Sequence, residues 1–494
     1  MASGAAWMVL AKLAERSLAL VSMLILARVL VPQDFGIVAM AMSFVALLEM
    51  LTAFGFDVAL IQKQTKERGH WDTVWTFTAL VGFAIAILMV LFAPAVARFF
   101  DEPRLVEVVR VLAIGSAVQG LQNVGLVAFR TEMQFDREFR FLTTKKLLGF
   151  SVTVPLALIL DSYWALVIGQ TCGRIASTGL SYWVHPYRPR FTLVAARDLF
   201  HFSKWMFILN IIHYIKDRSA IWVVGAMTGP APLGAFTISY ELATMPSTQL
   251  VAPINRAVFP AYARLAQEGI EPLRREYLSV IGVIVLLATP VVLGIAATAP
   301  VLVPVVLGPK WAHAIPLLSL LAIFGYTYII QSNAQAAYLA LGRIDVPTKV
   351  NALHAAIQLA ALVPLTKAYG VNGAALAYLA TAVIMIPASL GVVLRMLSIR
   401  TTTFFKEVWR PIVAGGLMYA GIWALLSSAP TPTTTLAALP TFIAAVALGG
   451  AIYVSTVLAL WMLCRKPAGA EQIALARASA LAARLRPRTS QPSI

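Results

Sequence analysis

The chain has 494 residues, 60% of them hydrophobic and 12% charged, where a soluble domain carries about a quarter charged residues. Two cysteines, Cys172 and Cys464, argue against a disulfide scaffold, and no spaced Cys/His set suggests a structural metal. The net charge of +17 would point to nucleic acid in a soluble chain. Here the basic residues lie mostly between apolar runs, where they act as orientation signals, so no nucleic-acid partner is expected.

Crossing a bilayer takes roughly 20 mainly apolar residues, and such stretches follow one another along the chain. The first, 5–30, contains Lys12, Glu15, Arg16 and Arg28 and is too long and too charged for a cleavable signal core. Next come 34–61, 72–98, 105–130, 139–160 and 163–185. A basic connection leads to 198–227, 231–262, 276–306, 312–340, 346–367 and 371–395. Two more, 408–428 and 436–463, precede a basic tail, 464–494. Backbone groups in lipid are satisfied inside helices or a closed barrel, and the runs lack the period-two alternation of barrel strands. The expected fold class is therefore an all-α polytopic membrane protein with about fourteen transmembrane helices. Pro155, Pro246, Pro253, Pro290, Pro364 and Pro387 mark expected kinks.

Lys and Arg alternate strongly between the two sets of connections. The trailing ends of odd-numbered stretches and the connections after them hold Arg28, Arg98, Arg104, Lys310 and Lys367, while the even-numbered side and the tail hold most of the rest. That bias places both termini in the cytoplasm of a multi-pass inner-membrane protein.

The stretch Pro32-Gln-Asp-Phe-Gly36 shares a Pro-x-x-apolar-Gly frame with Pro230-Ala-Pro-Leu-Gly234, and Phe56-Asp57 aligns with Ile254-Asn255 at the same offset. Tyr163-Trp-Ala-Leu166 stands before the sixth stretch as Asn372-Gly-Ala-Ala375 does at the twelfth. Residues 1–190 and 198–395 are thus expected to be two parallel six-helix lobes, with 408–463 forming two further helices and 464–494 a cytoplasmic tail. Parallel repeats suit a site between lobes and an alternating-access cycle.

Charges inside the stretches are costly unless paired, hydrated or lining a cavity. Lys12, Glu15 and Arg16 share one helix face; Lys216, Asp217 and Arg218 cluster in the seventh stretch; Arg174 and Arg256 lie in the sixth and eighth. The acids are Glu49, Asp57 and Glu241. One account makes these structural ion pairs. The other notes that bases exceed acids, as a phosphate site requires, since arginine offers phosphate two parallel hydrogen bonds. On that account Arg16, Arg174 and Arg218 bind phosphate, with Lys12 and Lys216 as stations at its mouth. Asp57, Glu49 and Glu241 are the candidates for coupling to a proton or sodium ion. No cofactor and no catalytic residue is called for.

The segments Leu26-Ala-Arg-Val-Leu-Val-Pro-Gln-Asp-Phe-Gly-Ile37, Phe54-Gly-Phe-Asp57, Ala128-Phe-Arg-Thr-Glu-Met-Gln-Phe-Asp-Arg137 and Tyr163-Trp-Ala-Leu-Val-Ile-Gly169 carry a specific resemblance. Over about residues 5–463 the chain resembles the polysaccharide-transporter branch of the multidrug/oligosaccharidyl-lipid/polysaccharide superfamily, the O-antigen and exopolysaccharide flippases, and among them the colanic-acid-exporter-like members. The resemblance implies a two-lobed flippase that moves undecaprenyl-diphosphate-linked oligosaccharide from the cytoplasmic to the periplasmic leaflet for exopolysaccharide or O-antigen synthesis. It implies membrane lipids and glycan polymerase machinery as neighbours. The family's basic cavity residues map onto Arg16 and Arg218.

Two other functions compete. A cation-coupled multidrug exporter of the same superfamily would favour acidic cavity walls, against the basic inventory here. A glycan polymerase or ligase would carry a substantial external catalytic loop, and the external connections are short. A phosphate-binding loop ending in Lys-Ser/Thr is absent, so no intrinsic ATP use is expected. The expected class is a secondary transporter rather than an enzyme.

Overall fold

The computed structural model describes residues 18–50, 60, 67–132, 134–195, 203–343, 345–428, 435–467, 469–473 and 476. Among the described residues the chain is helical almost throughout, without a β-strand. The helices are α1 (Leu18–Val29), α2 (Pro32–Met50), α3 (Arg68–Phe99), α4 (Leu105–Gly120), α5 (Ala128–Thr131), α6 (Phe135–Leu160) and α7 (Trp164–Val184). They continue as α8 (Ser203–Thr228), α9 (Pro230–Pro246), α10 (Ala252–Glu268), α11 (Ile270–Val306) and α12 (Ala314–Ala340). The last three are α13 (Asp345–Met396), α14 (Thr401–Ser428) and α15 (Thr435–Leu463).

Eight described helices are long and apolar enough to cross a membrane, or nine if the bent pair Leu105–Gly120 and Val124–Thr131 forms one span. The described part of every apolar stretch read from the sequence lies mainly on helix. Two of them, 346–367 and 371–395, share α13, which is broken at Gly370 by a left-handed φ of 58°. The eighth runs through α9, a π-helical turn at Ser247–Val251 and α10.

The chain divides into two compact units, one of residues 1–237, 306–311 and 362–374, the other of 238–305, 312–361 and 375–494. In the first, Asp34 organises the start of α2. One carboxylate oxygen accepts the Val31 N–H at 3.0 Å, tying down a helix-start amide, and the other accepts the Tyr163 N–H at 3.1 Å. Two of the motifs that carry the family resemblance therefore meet through one side chain. Nearby, fully buried Trp311 donates from its indole to the Ala27 carbonyl at 2.8 Å and meets Phe35 edge-on at 5.3 Å.

The second unit is built around α10, α11 and α12, whose core includes Tyr262, Tyr277, Ile281, Ile284 and Ala337. The α14–α15 pair is tied to α11 by a hydrogen bond from the Tyr453 hydroxyl to the Leu286 carbonyl at 2.7 Å. Arg410 on α14 holds Glu471, beyond α15, through two hydrogen bonds of 2.6 and 3.0 Å. Both side chains are buried, so each charge depends on the other.

Candidate functional site: a polar vestibule in the first unit

The fourth apolar stretch does not cross as one straight rod. After α4 the chain bends by 66° before Val124–Thr131 continues, and Asn123 holds the bend. Its side-chain oxygen accepts the Gly125 N–H at 2.9 Å, and its amide donates to the carbonyls of Tyr187 at 2.8 Å and His185 at 3.3 Å. Its backbone N–H donates to the Ser181 hydroxyl at 3.0 Å. One buried asparagine thus satisfies the backbone groups freed by a broken helix and pins the segment that follows α7.

That segment is laced along the start of α3. Buried Asp72 accepts from the Tyr187 hydroxyl at 2.7 Å and the Arg190 N–H at 2.9 Å, and the Thr76 hydroxyl accepts from the Thr192 N–H at 3.0 Å. Burial, together with the hydrogen bond to Asp72, pushes the Tyr187 phenol well above its ordinary range.

The bend opens a cavity of about 450 Å³, within the size range of small-molecule sites. Helical periodicity explains its walls. On α3, Val74, Phe77, Thr78, Val81, Gly82 and Ile85 recur at three- and four-residue spacing, and on α6 Glu138, Phe141, Leu142 and Lys145 do the same. Ser116 and Gln119 come from α4, Gln122 and Asn123 from the bend, Phe129 and Arg130 from α5, and Glu49 from α2. Polar side chains inside a membrane bundle need partners or water, and this cavity gives them both options.

Two ion pairs border it. The Arg174 guanidinium of α7 donates to Glu49 at 2.7 Å and to the Ser116 hydroxyl at 2.8 Å. Arg130 donates to Glu138 at 2.7 Å. Gln122 donates to the Ser177 hydroxyl at 3.2 Å.

The structure brings some of the sequence candidates together and leaves others apart. Arg174 and Glu49, read separately as phosphate ligand and ion-coupling acid, form one pair at the vestibule wall. Lys216 stands 4.0 Å from Asp217 on α8. Arg218, on the same helix, is exposed and forms no ion pair with a described residue. Glu241 is exposed on α9. Lys12, Arg16 and Asp57 lie outside the described residues.

Sequence reading did not single out Gln119, Gln122, Arg130, Glu138 or Lys145 as site residues. Lys145 lies inside the stretch 139–160, and α6, which begins at Phe135, turns it toward the cavity. One signal was available: Phe129 and Arg130 belong to the Ala128–Arg137 segment that carries the family resemblance.

Comparison with known proteins places this architecture. The chain is 25% identical over 392 residues to the lipopolysaccharide biosynthesis protein WzxC of Escherichia coli (strain K12), covering 77% of this chain and 78% of that protein. It is 27% identical over 319 residues to the succinoglycan biosynthesis transport protein ExoT of Rhizobium meliloti (strain 1021), covering 64% of each. Among solved structures, the lipid II flippase MurJ in an inward closed conformation shares the fold with a TM-score of 0.74 at 12% identity, over 92% of this chain and 98% of that one. An inward-facing multidrug resistance MATE family transporter matches with a TM-score of 0.60 at 15% identity, over 78% of this chain and 95% of that one. The model of the polysaccharide biosynthesis protein family matches residues 25–316, more than half of the length, and the chain belongs to that family.

Proposed function

We propose that this protein is a non-hydrolytic flippase that carries undecaprenyl-diphosphate-linked oligosaccharide from the cytoplasmic to the periplasmic leaflet of the inner membrane, for exopolysaccharide or O-antigen synthesis. The observation that carries this reading is the vestibule: a cavity with polar and charged groups in its walls, built into apolar helices, in a member of a polysaccharide biosynthesis family. A lipid-linked sugar has a head group that cannot dissolve in hydrocarbon and a tail that can, and a polar cavity in a membrane bundle serves the former while the tail stays in lipid. Relatives named for lipopolysaccharide biosynthesis and succinoglycan transport support the same reading.

On this reading both termini are cytoplasmic, and residues 1–190 and 198–395 act as parallel lobes in an alternating-access cycle. The diphosphate is drawn by Arg16, Arg218 and Arg174, with Lys12 and Lys216 at the approaches. Arg174 would have to exchange Glu49 for the phosphate, whereas exposed Arg218 has no such partner to leave among the described residues. A proton or sodium ion taken up at Asp57, Glu49 or Glu241 would give the cycle direction. Glycan polymerase machinery would receive the product on the periplasmic side.

The test is made in the host cell. Depleting the protein is expected to leave lipid-linked repeat units facing the cytoplasm, out of reach of a membrane-impermeant periodate probe applied outside. Repeat units that stay fully accessible after depletion would overturn the proposal.

A further inference from the structure

We infer that the vestibule of the first unit is a glycan subsite: it takes the sugar hydroxyls of the head group, and the diphosphate is held elsewhere, by Arg218 and Arg16 rather than by Arg174, which keeps Glu49 as its partner. This rests on the flippase reading and assigns one part of the substrate to one set of residues.

Charge is the first reason. A phosphate site needs several uncommitted cations, but among the described residues the lining sets Arg130 and Lys145 against Glu49 and Glu138, and the one further base at the wall, Arg174, is itself committed. Arg130 is already bonded to Glu138 at 2.7 Å, and the arginine behind the wall, Arg174, is bonded to Glu49 at 2.7 Å. A diphosphate here would meet two carboxylates of its own sign and would have to displace both from their arginines.

Composition is the second. Sugar hydroxyls donate and accept, so they bind best where carboxylates and carboxamides lie together. A carboxylate offers about four acceptor positions, and the Arg130 bond to Glu138 uses one of its oxygens. Gln119 is exposed to the cavity, and its carboxamide has no hydrogen-bond partner among the described residues. Phe77, partly exposed on α3, supplies aromatic surface for the C–H face of a sugar ring. Acids, amides and an aromatic ring at the wall of one cavity are a carbohydrate-binding chemistry, and a pair of hexoses suits its volume of about 450 Å³.

The polar set is also held rigidly. Glu49 and Glu138 are oriented by their arginines, Gln122 by Ser177, and the bend that presents Gln122 just past Gln119 is fixed by Asn123. Preorganised groups of this kind discriminate between sugar epimers, because a misplaced hydroxyl leaves one of them unpaired.

The experiment uses the full-length protein in proteoliposomes and two probes: the oligosaccharide released by mild acid from the host's own polyprenyl-linked pool, and inorganic pyrophosphate. A Gln119→Cys variant in a Cys172→Ser, Cys464→Ser background is labelled with a maleimide. The oligosaccharide is expected to slow labelling at least fivefold, and pyrophosphate less than twofold. Hydrogen exchange on the unaltered chain gives a second readout that needs no substitution: the oligosaccharide should protect residues 116–130 and 138–145, and pyrophosphate should not. Protection by pyrophosphate alone, or by neither probe, overturns the subsite. Vesicles holding the unaltered chain are assayed for translocation of the intact lipid-linked oligosaccharide. Translocation without oligosaccharide protection sinks the subsite and leaves the flippase standing, whereas absent translocation sinks the flippase reading itself.

Discussion

Gly36 and Gly234 occupy equivalent places in the two Pro-x-x-apolar-Gly turns, and each leaves room for the other's proline. A Cβ on Gly36 would lie 1.8 Å from the Pro230 carbonyl oxygen, and one on Gly234 would lie 1.8 Å from that of Pro32. The starts of α2 and α9 therefore approach backbone to backbone, a contact that no larger residue permits. Gly36→Ala and Gly234→Ala are each expected to destabilise the protein by about 2 kcal/mol or more through overpacking. Gly149→Ala, in open space on α6, should be neutral or slightly stabilising. Thermal unfolding of the purified proteins in detergent compares them; equal melting temperatures for all three would contradict the close approach.

Asn123 is the keystone of the bent fourth span. Removing its side chain leaves the Gly125 N–H without its partner and the Tyr187 carbonyl with only the Arg188 guanidinium at 2.9 Å, at a cost of about 1–3 kcal/mol. Asn123→Ala should raise hydrogen exchange selectively over residues 185–195 and leave the second unit unchanged. Asn123→Asp keeps the acceptor for Gly125 and loses the donor to Tyr187, so it should fall between wild type and Asn123→Ala.

Arg174 and Glu49 illustrate a half-buried pair inside a membrane bundle, with side chains 14% and 36% exposed. Truncating either leaves the other charge facing a partly dry wall. Arg174→Ala and Glu49→Ala are each expected to lower stability by about 1–3 kcal/mol, and the double variant to cost less than their sum. A double-mutant cycle on unfolding in denaturant measures the coupling; strict additivity would mean that the pair contributes nothing.

Glu102, in the turn between α3 and α4, supplies a pH prediction. Hydrogen bonds from the Arg104 side chain at 2.7 Å hold its carboxyl below the usual carboxylate range, against the opposing effect of burial. Because the folded-state pKa is depressed, the stabilisation is present above the unfolded-state pKa and lost as pH falls through the folded one. The wild-type melting temperature should therefore drop on acidification through and below the ordinary carboxylate range, and Glu102→Gln should show a shallower drop from a lower starting value. Parallel curves would contradict the assignment.

Much of the fold was legible because lipid leaves a chain few choices. An apolar stretch of about twenty residues must become a helix, whatever its neighbours do. The turns around Pro32 and Pro230 were legible too, since a proline followed four residues on by glycine is a local signal, and the structure makes those glycines meet. The vestibule was not legible. A 66° bend held by the side-chain contacts of Asn123 has no hydropathy signature, so polar Gln119, Gln122 and Arg130 read as the frayed end of a span. The mutual pairing of Arg174 and Glu49 escaped for a similar reason: they belong to α7 and α2, and sequence distance says nothing of which helices pack.

The most direct measurement is translocation by the purified protein in vesicles loaded with a fluorescent polyprenyl-diphosphate oligosaccharide, with a membrane-impermeant quencher reporting the leaflet. The protein should move the lipid-linked glycan at least tenfold faster than protein-free vesicles, without ATP, and should leave organic drug cations untransported. An equal rate in protein-free vesicles, or transport of drug cations in place of the glycan, would contradict the account.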